Sequence, residues 1–296
     1  MITMKLVGGL GNQLFQYACA RSLAQKYNTN LTLDISFYYR NRLKQSLRES
    51  VDLAAALLGR SGLSSTIENI SRNRRHYNLD KFQLRPDIKI TKRNLPASIH
   101  DQDPFTFDRK IMQAGDNIIY EGYFNSYKYF KDIETELRTE FRLNKEIEAN
   151  LPQDILKKIV TSNSISLHVR RGDYITRPEA NKYHGSVDLS YYQKAVKIIT
   201  EKVPDSIIFI FSDDIQWCRE NLSFPEETYF VPGLKNYQDM RLMSLCRHHI
   251  ISNSTFAWWG AWLNPKADKT VIAPARWIND RELKNSDLFP PDWIII

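Results

Sequence analysis

The sequence predicts an α/β protein in two halves, each with strands that run into helices. Three observations carry this. The chain has 296 residues, long for one domain and suited to two. Short strand patterns alternate with helical ones, most clearly in the second half, which argues for a parallel sheet. Glycine-rich and polar turns stand at the ends of the strand patterns, where open α/β sheets bind ligands.

Ile2 to Val7 reads as a short buried strand, followed by Gly8-Gly9-Leu10-Gly11-Asn12-Gln13 and a helical pattern from Leu14 to Tyr27. Free N–H groups converge where strand, glycine turn and helix meet, which suits an anion or a sugar; a purely structural turn accounts for it equally well. The dinucleotide fingerprint does not fit, because Leu14 takes the third glycine position, and no Gly-Lys-Ser/Thr follows to make a P-loop. Asn12 can cap the helix or reach a ligand. Leu31 to Ile35 is the second strand. From Tyr38 to Tyr77 the chain is basic and irregular, with Ser50 to Leu58 as a short helical stretch. The basic residues from Arg40 to Arg75 fit a solvated insert beside an acceptor groove, or a lipid or nucleic-acid surface, but they lack the aromatic interleaving of single-strand binders. Asp101-Gln102-Asp103 has the acid-x-acid form that can hold a divalent cation, yet it precedes Pro104 and does not end a strand. Ile118 to Phe124 is a strand leading into an aromatic loop. Charged helical sequence then runs from Lys131 to about Ile159, near which the boundary between the halves is expected.

The second half opens on Ser164-Ile165-Ser166-Leu167-His168-Val169-Arg170-Arg171-Gly172-Asp173-Tyr174. Side chains two apart share a face of a strand, so His168 and Arg170 point one way and Val169 and Arg171 the other. An imidazole and a guanidinium at a strand's carboxyl end suit an anionic, nitrogen-rich ligand. Ser190-Tyr191-Tyr192-Gln193 has the capping-box form and starts a helix to about Lys202. Ile207 to Phe211 is a buried strand ending in Ser212-Asp213-Asp214; one carboxylate is expected to cap the next helix, and the other to accept from a guanine edge or a ribose hydroxyl. Tyr237 to Arg247 is helical. Ile250-Ile251 ends a strand, and Ser252-Asn253-Ser254-Thr255-Phe256 opens a helix, where small hydroxyls cap the helix or also hold phosphate. Val271 to Ala273 is a further strand. A ligand of this half would touch His168/Arg170, Asp213/Asp214 and Ser254/Thr255 together. A base and ribose with a diphosphate is the simplest occupant.

Lys and Arg total 41 against 34 Asp and Glu, a formal charge of +7 that favours an anionic partner without choosing among nucleotide, membrane and nucleic acid. Aromatic residues make up 12%, enough for sugar or base stacking as well as core. Cys19, Cys218 and Cys246 are odd in number and far apart, which indicates neither a disulfide framework nor a zinc site and fits buried thiols in a reducing compartment. No signal-peptide pattern opens the chain, and apolar runs such as Phe256 to Leu263 fall short of a membrane span. The expected location is the cytoplasm, with peripheral contact to a membrane through basic residues.

Gly8-Gly9-Leu10-Gly11-Asn12-Gln13-Leu14-Phe15-Gln16-Tyr17-Ala18, His168-Val169-Arg170-Arg171-Gly172-Asp173-Tyr174 and Ser252-Asn253-Ser254-Thr255-Phe256-Ala257-Trp258-Trp259-Gly260-Ala261 resemble the motifs of the bacterial α-1,2-fucosyltransferases of glycosyltransferase family 11, relatives of the animal galactoside 2-fucosyltransferases. The H-x-R-R-x-D motif is shared with α-1,6 and protein O-fucosyltransferases and marks the donor; the first and third motifs point to α-1,2. The resemblance implies a GT-B-like fold, two Rossmann-type domains facing across a cleft, with residues 1–155 on the acceptor side and 156–296 binding GDP-fucose. It implies transfer from GDP-β-L-fucose to a galactose-terminated oligosaccharide, such as an O-antigen or other surface glycan, with inversion and with no metal, cofactor or nucleic-acid partner. By motif, His168 would meet guanine or ribose, Arg170 the β-phosphate, and Ser254, Thr255 and the Phe256 amide the diphosphate. Gly11 and Asn12 would face the donor from the other domain. Asp213 joins this set by position. Arg171 joins it by motif, although the alternation turns it toward Asp173 or the domain interface. Arg170, Asp173 and Asn12 would be catalytic. Asp173, Glu179, His184 and Asp188 lie near enough to act as general base, and the turn places Asp173 beside Arg170. Transfer to another linkage or from another GDP-sugar is the neighbouring alternative. A basic module binding anionic polymers, with salt-dependent affinity and no need for His168 or Ser254, is the non-enzymatic one.

Overall fold

Short aliphatic and β-branched runs make the strands, and most are buried on both faces, as parallel strands covered by helices must be. The computed structural model describes residues 1–39, 75–172, 182–279 and 287–296. In chain order the strands are β1 (Ile2–Lys5), β2 (Leu31–Asp34), β3 (Lys89–Thr91), β4 (Ile99–His100), β5 (Ile118–Glu121), β6 (Asn163–Val169), β7 (Ser206–Ser212), β8 (Glu227–Phe230), β9 (His248–Ile250), β10 (Val271–Ala273) and β11 (Ile294–Ile295). The helices are α1 (Leu10–Lys26), α2 (Arg109–Gln113), α3 (Glu134–Glu140), α4 (Lys145–Ala149), α5 (Gln153–Thr161), α6 (Leu189–Thr200), α7 (Ile215–Asn221), α8 (Asn236–Leu245) and α9 (Thr255–Trp262).

The strands form a five-stranded sheet, β3-β2-β1-β5-β4, and a six-stranded sheet, β11-β10-β9-β6-β7-β8. Every pairing within them is parallel. Numbered from β6, the second sheet has the order 3-2-1-4-5-6, the doubly wound order whose direction reverses between its first and fourth strands. The fold is therefore α/β and GT-B-like: two Rossmann-type sheets whose strand ends face one cleft. The 155/156 junction lies inside α5, which packs on β6 and α8 of the second sheet.

α1 starts earlier than its pattern suggested. It begins at Leu10 and not Leu14, so Gly11 and Asn12 belong to its first turn. Nearly all of α1 is buried, and α9 likewise buries Trp258, Trp259 and Trp262, so both read as central helices rather than amphipathic ones. α6 starts at Leu189 with Asp188 at its N-cap; Ser190 lies inside the helix and caps nothing, because Asp188 already supplies the extended residue before it.

The two halves share one apolar cluster, running from β1 and α1 through Phe130 and Phe141 to the tryptophans of α9. Phe15 lies 4.6 Å from Trp258 and 5.0 Å from Trp259, and Phe130 stacks on Trp259 at 5.3 Å. Trp259 is fully buried. Trp259→Ala is expected to lower unfolding free energy by about 3–5 kcal/mol, because the helices around the cavity cannot collapse into it. Urea unfolding followed by fluorescence measures this, and a loss below about 1 kcal/mol would show that the halves do not depend on the shared cluster. Cys19, Cys218 and Cys246 are buried free thiols, as expected. The Ser50 to Leu58 helix and the basic stretch from Arg40 to Arg74 lie outside the described residues. No helix among the described residues is long and apolar enough to cross a membrane.

Candidate active site

The carboxyl ends of β6 and β9 meet at the switch point of the second sheet. His168 at the end of β6 is buried and shares a 2.8 Å hydrogen bond from Nδ1 to Ser252 Oγ just after β9. Its ring packs 5.6 Å from that of Phe256. Burial holds its imidazole well below the ordinary histidine range; the Asp213 carboxylate pulls the other way and the Arg170 guanidinium adds to the fall. The ring is neutral at physiological pH and joins the two strand ends as a hydrogen-bonding group.

Period-two alternation separates the two arginines as expected. Arg170 turns to the cleft, where Nη1 donates to Asp213 Oδ2 at 2.8 Å. Asp213 Oδ1 accepts from the Arg171 amide at 3.0 Å, so one carboxylate braces both the backbone and the guanidinium. The Arg171 side chain goes to the other face. Its Nε donates to Asp214 Oδ2 at 3.2 Å and its guanidinium lies 3.7 Å over Trp217. Asp214 also caps α7, accepting from the Trp217 amide at 3.2 Å. The adjacent acids thus divide their work: Asp214 caps, and Asp213 aims Arg170.

Ser254 is the N-cap residue of α9 with extended backbone, but its hydroxyl makes no capping bond. That removes capping as the sole reason for a hydroxyl there. The first-turn amides of α9 have no intrahelical partner, so the helix presents donors and the positive end of its dipole to the cleft. The N-terminus of α1 meets it from the first sheet. Thr255 Oγ1 donates to Asn12 Oδ1 at 2.9 Å, and a Cβ on Gly11 would stand 2.5 Å from both Phe256 N and the Thr255 carbonyl carbon. Only glycine lets the two helix ends come this close.

These ends open into a cleft of about 1150 Å³ between the sheets. Gly11, Asn12, Arg170, Ser254, Thr255 and Phe256 all line it. His168 and Asp213 stand behind this lining and support it, and the Arg171 side chain is not brought to the cleft. Asp173 and Glu179 lie outside the described residues. Of the other two base candidates, His184 lines the cleft, whereas Asp188 lines a neighbouring cavity of about 350 Å³. The wall carries Arg75, Lys81, Arg170 and Lys235, and no carboxylate lines it among the described residues. With the N-termini of α1, α8 and α9 opening on the same space, the cleft is built for an anion of nucleotide size.

The Asp101 and Asp103 carboxylates have structural work. Asp101 Oδ2 accepts from the Tyr123 and Phe124 amides at 3.2 and 2.8 Å, and Asp103 Oδ1 from the Phe105 amide at 3.3 Å. No group of three or more His, Cys, Asp or Glu placed for a metal occurs among the described residues.

Three parts of the wall were not read from the sequence. Gln13 holds the His76–Asn78 segment, accepting from Asn78 N at 2.9 Å and donating to His76 O at 2.7 Å. The first turn of α8 contributes Asn236 and Tyr237, and the turn after β5 contributes Tyr123 and Asn125. Just inside α8, Asp239 has one carboxylate oxygen without a hydrogen-bond partner, and burial pushes its pKa up to about 7 against a pull from the Leu234 amide. A helical pattern gives no signal for such a group. Gly122 after a strand pattern was the available signal for the β5 turn.

The family model described as Glycosyl transferase family 11 matches residues 1–296. An O-antigen biosynthesis glycosyltransferase of Escherichia coli, WbnK, is 33% identical over 98% of this chain and 98% of its own. An α-1,2-colitosyltransferase of Escherichia coli is 30% identical over 100% of this chain and 99% of its own. Galactoside α-(1,2)-fucosyltransferase 2 of Sus scrofa is 25% identical over 69% of this chain and 63% of its own. Among solved structures, the R284K mutant of Arabidopsis thaliana FUT1 in complex with GDP shares the fold, with a TM-score of 0.51, 11% identity, and coverage of 98% of this chain and 74% of that one.

Proposed function

The chain belongs to glycosyl transferase family 11, and from that premise we propose that it moves L-fucose from GDP-β-L-fucose to the 2-hydroxyl of a terminal β-galactose, with inversion and without a metal. The observation that carries this reading is the cleft wall itself: Arg170 and the α9 N-terminus converge on a space that Arg75, Lys81 and Lys235 also line. In transfer the C1–O bond to GDP breaks while the acceptor hydroxyl attacks from the opposite face. Negative charge grows on the β-phosphate oxygen and the sugar becomes oxocarbenium-like. A fixed guanidinium and oriented amides stabilise that charge without reorganising. Asp213 and His168 act one layer back, aiming Arg170 and tying β6 to β9. The proton of the acceptor hydroxyl passes to a base on the segment from Asp173 to Asp188, of which His184 reaches the cleft. The first sheet forms the acceptor side and the second sheet, with α5 packed on it, the donor side, which moves the boundary from 155/156 to the start of α5. The acceptor is an O-antigen or similar surface glycan, a reading supported by the similarity to WbnK.

Similarity to the α-1,2-colitosyltransferase favours a second donor, GDP-colitose, whose sugar is L-fucose without its 3-hydroxyl. The test is NMR of products from lactose with each donor, in EDTA. The expected result is an α-fucosyl signal on galactose C2 from GDP-fucose. Product from GDP-colitose alone would establish the second reading. A requirement for added metal, or substitution at another carbon, would overturn the corresponding part of the first.

A further inference from the structure

The first sheet has a switch point of its own, between β1 and β5. The end of β1 supplies the glycine turn into α1. The end of β5 supplies Gly122-Tyr123-Phe124-Asn125, and this turn is held in an unusual shape. Phe124 is fully buried with φ +51°. Gly122 takes φ +154°, and a Cβ on it would fall 2.2 Å from Asp101 Cβ. The Asp101 carboxylate accepts from two successive amides of the turn, and Asn125 N donates to Pro104 O at 2.7 Å. The outcome is that Tyr123 lines the cleft while 42% exposed. Beside it Asn125 is buried at 4% exposure, and its Oδ1 has no hydrogen-bond partner. A non-glycine left-handed residue, a half-buried carboxylate spent on two turn amides and an aromatic ring kept in water form a combination that stability alone does not select.

We propose that Tyr123 is the acceptor platform: its ring stacks on the apolar face of the acceptor galactose formed by the C3–H, C4–H and C5–H groups, Asn125 reads a hydroxyl of the same sugar, and Asp101 is the positioning residue that holds the ring out. The proposal rests on reading the cleft as a glycosyl-transfer site. The groups suited to a diphosphate, Arg170 and the α9 N-terminus, belong to the second sheet, and Tyr123 stands on the first. Phe105, held by the neighbouring Asp103 turn, extends the same wall. A ring and an amide with no cation in their turn suit a neutral sugar better than a phosphate.

The experiment compares Tyr123→Ala, Tyr123→Phe and Asp101→Ala in the full chain, with lactose and GDP-fucose. Tyr123→Ala is expected to raise KM for lactose about tenfold or more, while KM for GDP-fucose and the slow release of GDP without acceptor stay unchanged. Tyr123→Phe keeps the ring and should match wild type, and Asp101→Ala should reproduce the lactose defect. An unmoved lactose KM in Tyr123→Ala overturns the proposal. Saturation-transfer NMR of lactose with GDP present reads binding without turnover. Lactose binding lost in Tyr123→Ala although GDP-fucose is not consumed would uphold the platform and reject the donor. Lactose binding equal in wild type and Tyr123→Ala would reject the platform whatever the donor.

Discussion

Arg170→Ala is expected to lower kcat at saturating donor by about two to three orders of magnitude, the range seen when one preorganised donor to a developing oxyanion is removed. The guanidinium lines the cleft and is fixed by Asp213 Oδ2 at 2.8 Å, so it needs no reorientation when charge appears on the leaving group. Arg170→Lys keeps the charge but loses the planar fork, and should fall between wild type and alanine. Asp213 acts through Arg170, so Asp213→Ala should have a smaller effect that vanishes in the Arg170→Ala background. A double-mutant cycle on kcat measures that coupling. A loss below tenfold in Arg170→Ala would remove the arginine from the charge-stabilising role, and additive losses would show that Asp213 acts independently.

What could be read in the sequence was local. The two-residue period of a strand fixes which neighbours share a face, and although β6 ends at Val169 the alternation carries into the two residues after it, so Arg170 and Arg171 diverge. A carboxylate directly before a helical pattern is a cap, and Asp214 is one. Three strand ends with polar residues announced a ligand at the sheet edge, and two of them, after β6 and β9, line the cleft. What escaped depends on contacts between residues far apart in the chain. Asp101 looked like half of a metal motif because its partners, the Tyr123 and Phe124 amides, lie more than twenty positions away. Gln13 holds a segment more than sixty residues on. The aromatic run Phe256 to Leu263 was legible as apolar, but nothing in it says that its partner is Phe15 of the other half.

Gly11 shows most sharply why the glycine turn could not be interpreted alone, and its substitution should have the second large effect. In the turn it resembles a residue kept for backbone freedom or for a ligand. In the structure it sits in the first turn of α1, and what it admits is α9. An added Cβ would lie 2.5 Å from Phe256 N, 2.5 Å from the Thr255 carbonyl carbon and 2.7 Å from Thr255 Oγ1. Two of these are backbone atoms, so no rotamer change relieves the contact and one helix end must move by about 1 Å to restore van der Waals distance. The atoms that move are those presented to the donor diphosphate, together with the Asn12 to Thr255 hydrogen bond between the halves. A displacement of that size in a reacting geometry costs about a hundredfold in rate. Gly11→Ala is therefore expected to lower kcat/KM about a hundredfold with retained secondary structure, and Thr255→Ser in the same background should not rescue it, because the backbone contacts remain. Gly233→Ala, where an added Cβ meets nothing within 4 Å, should leave both activity and melting unchanged. If Gly11→Ala keeps kcat/KM within threefold, the close seating of α1 on α9 does not set the geometry of transfer. The glycine would then be needed only for the turn out of β1, and the second sheet alone would organise the donor.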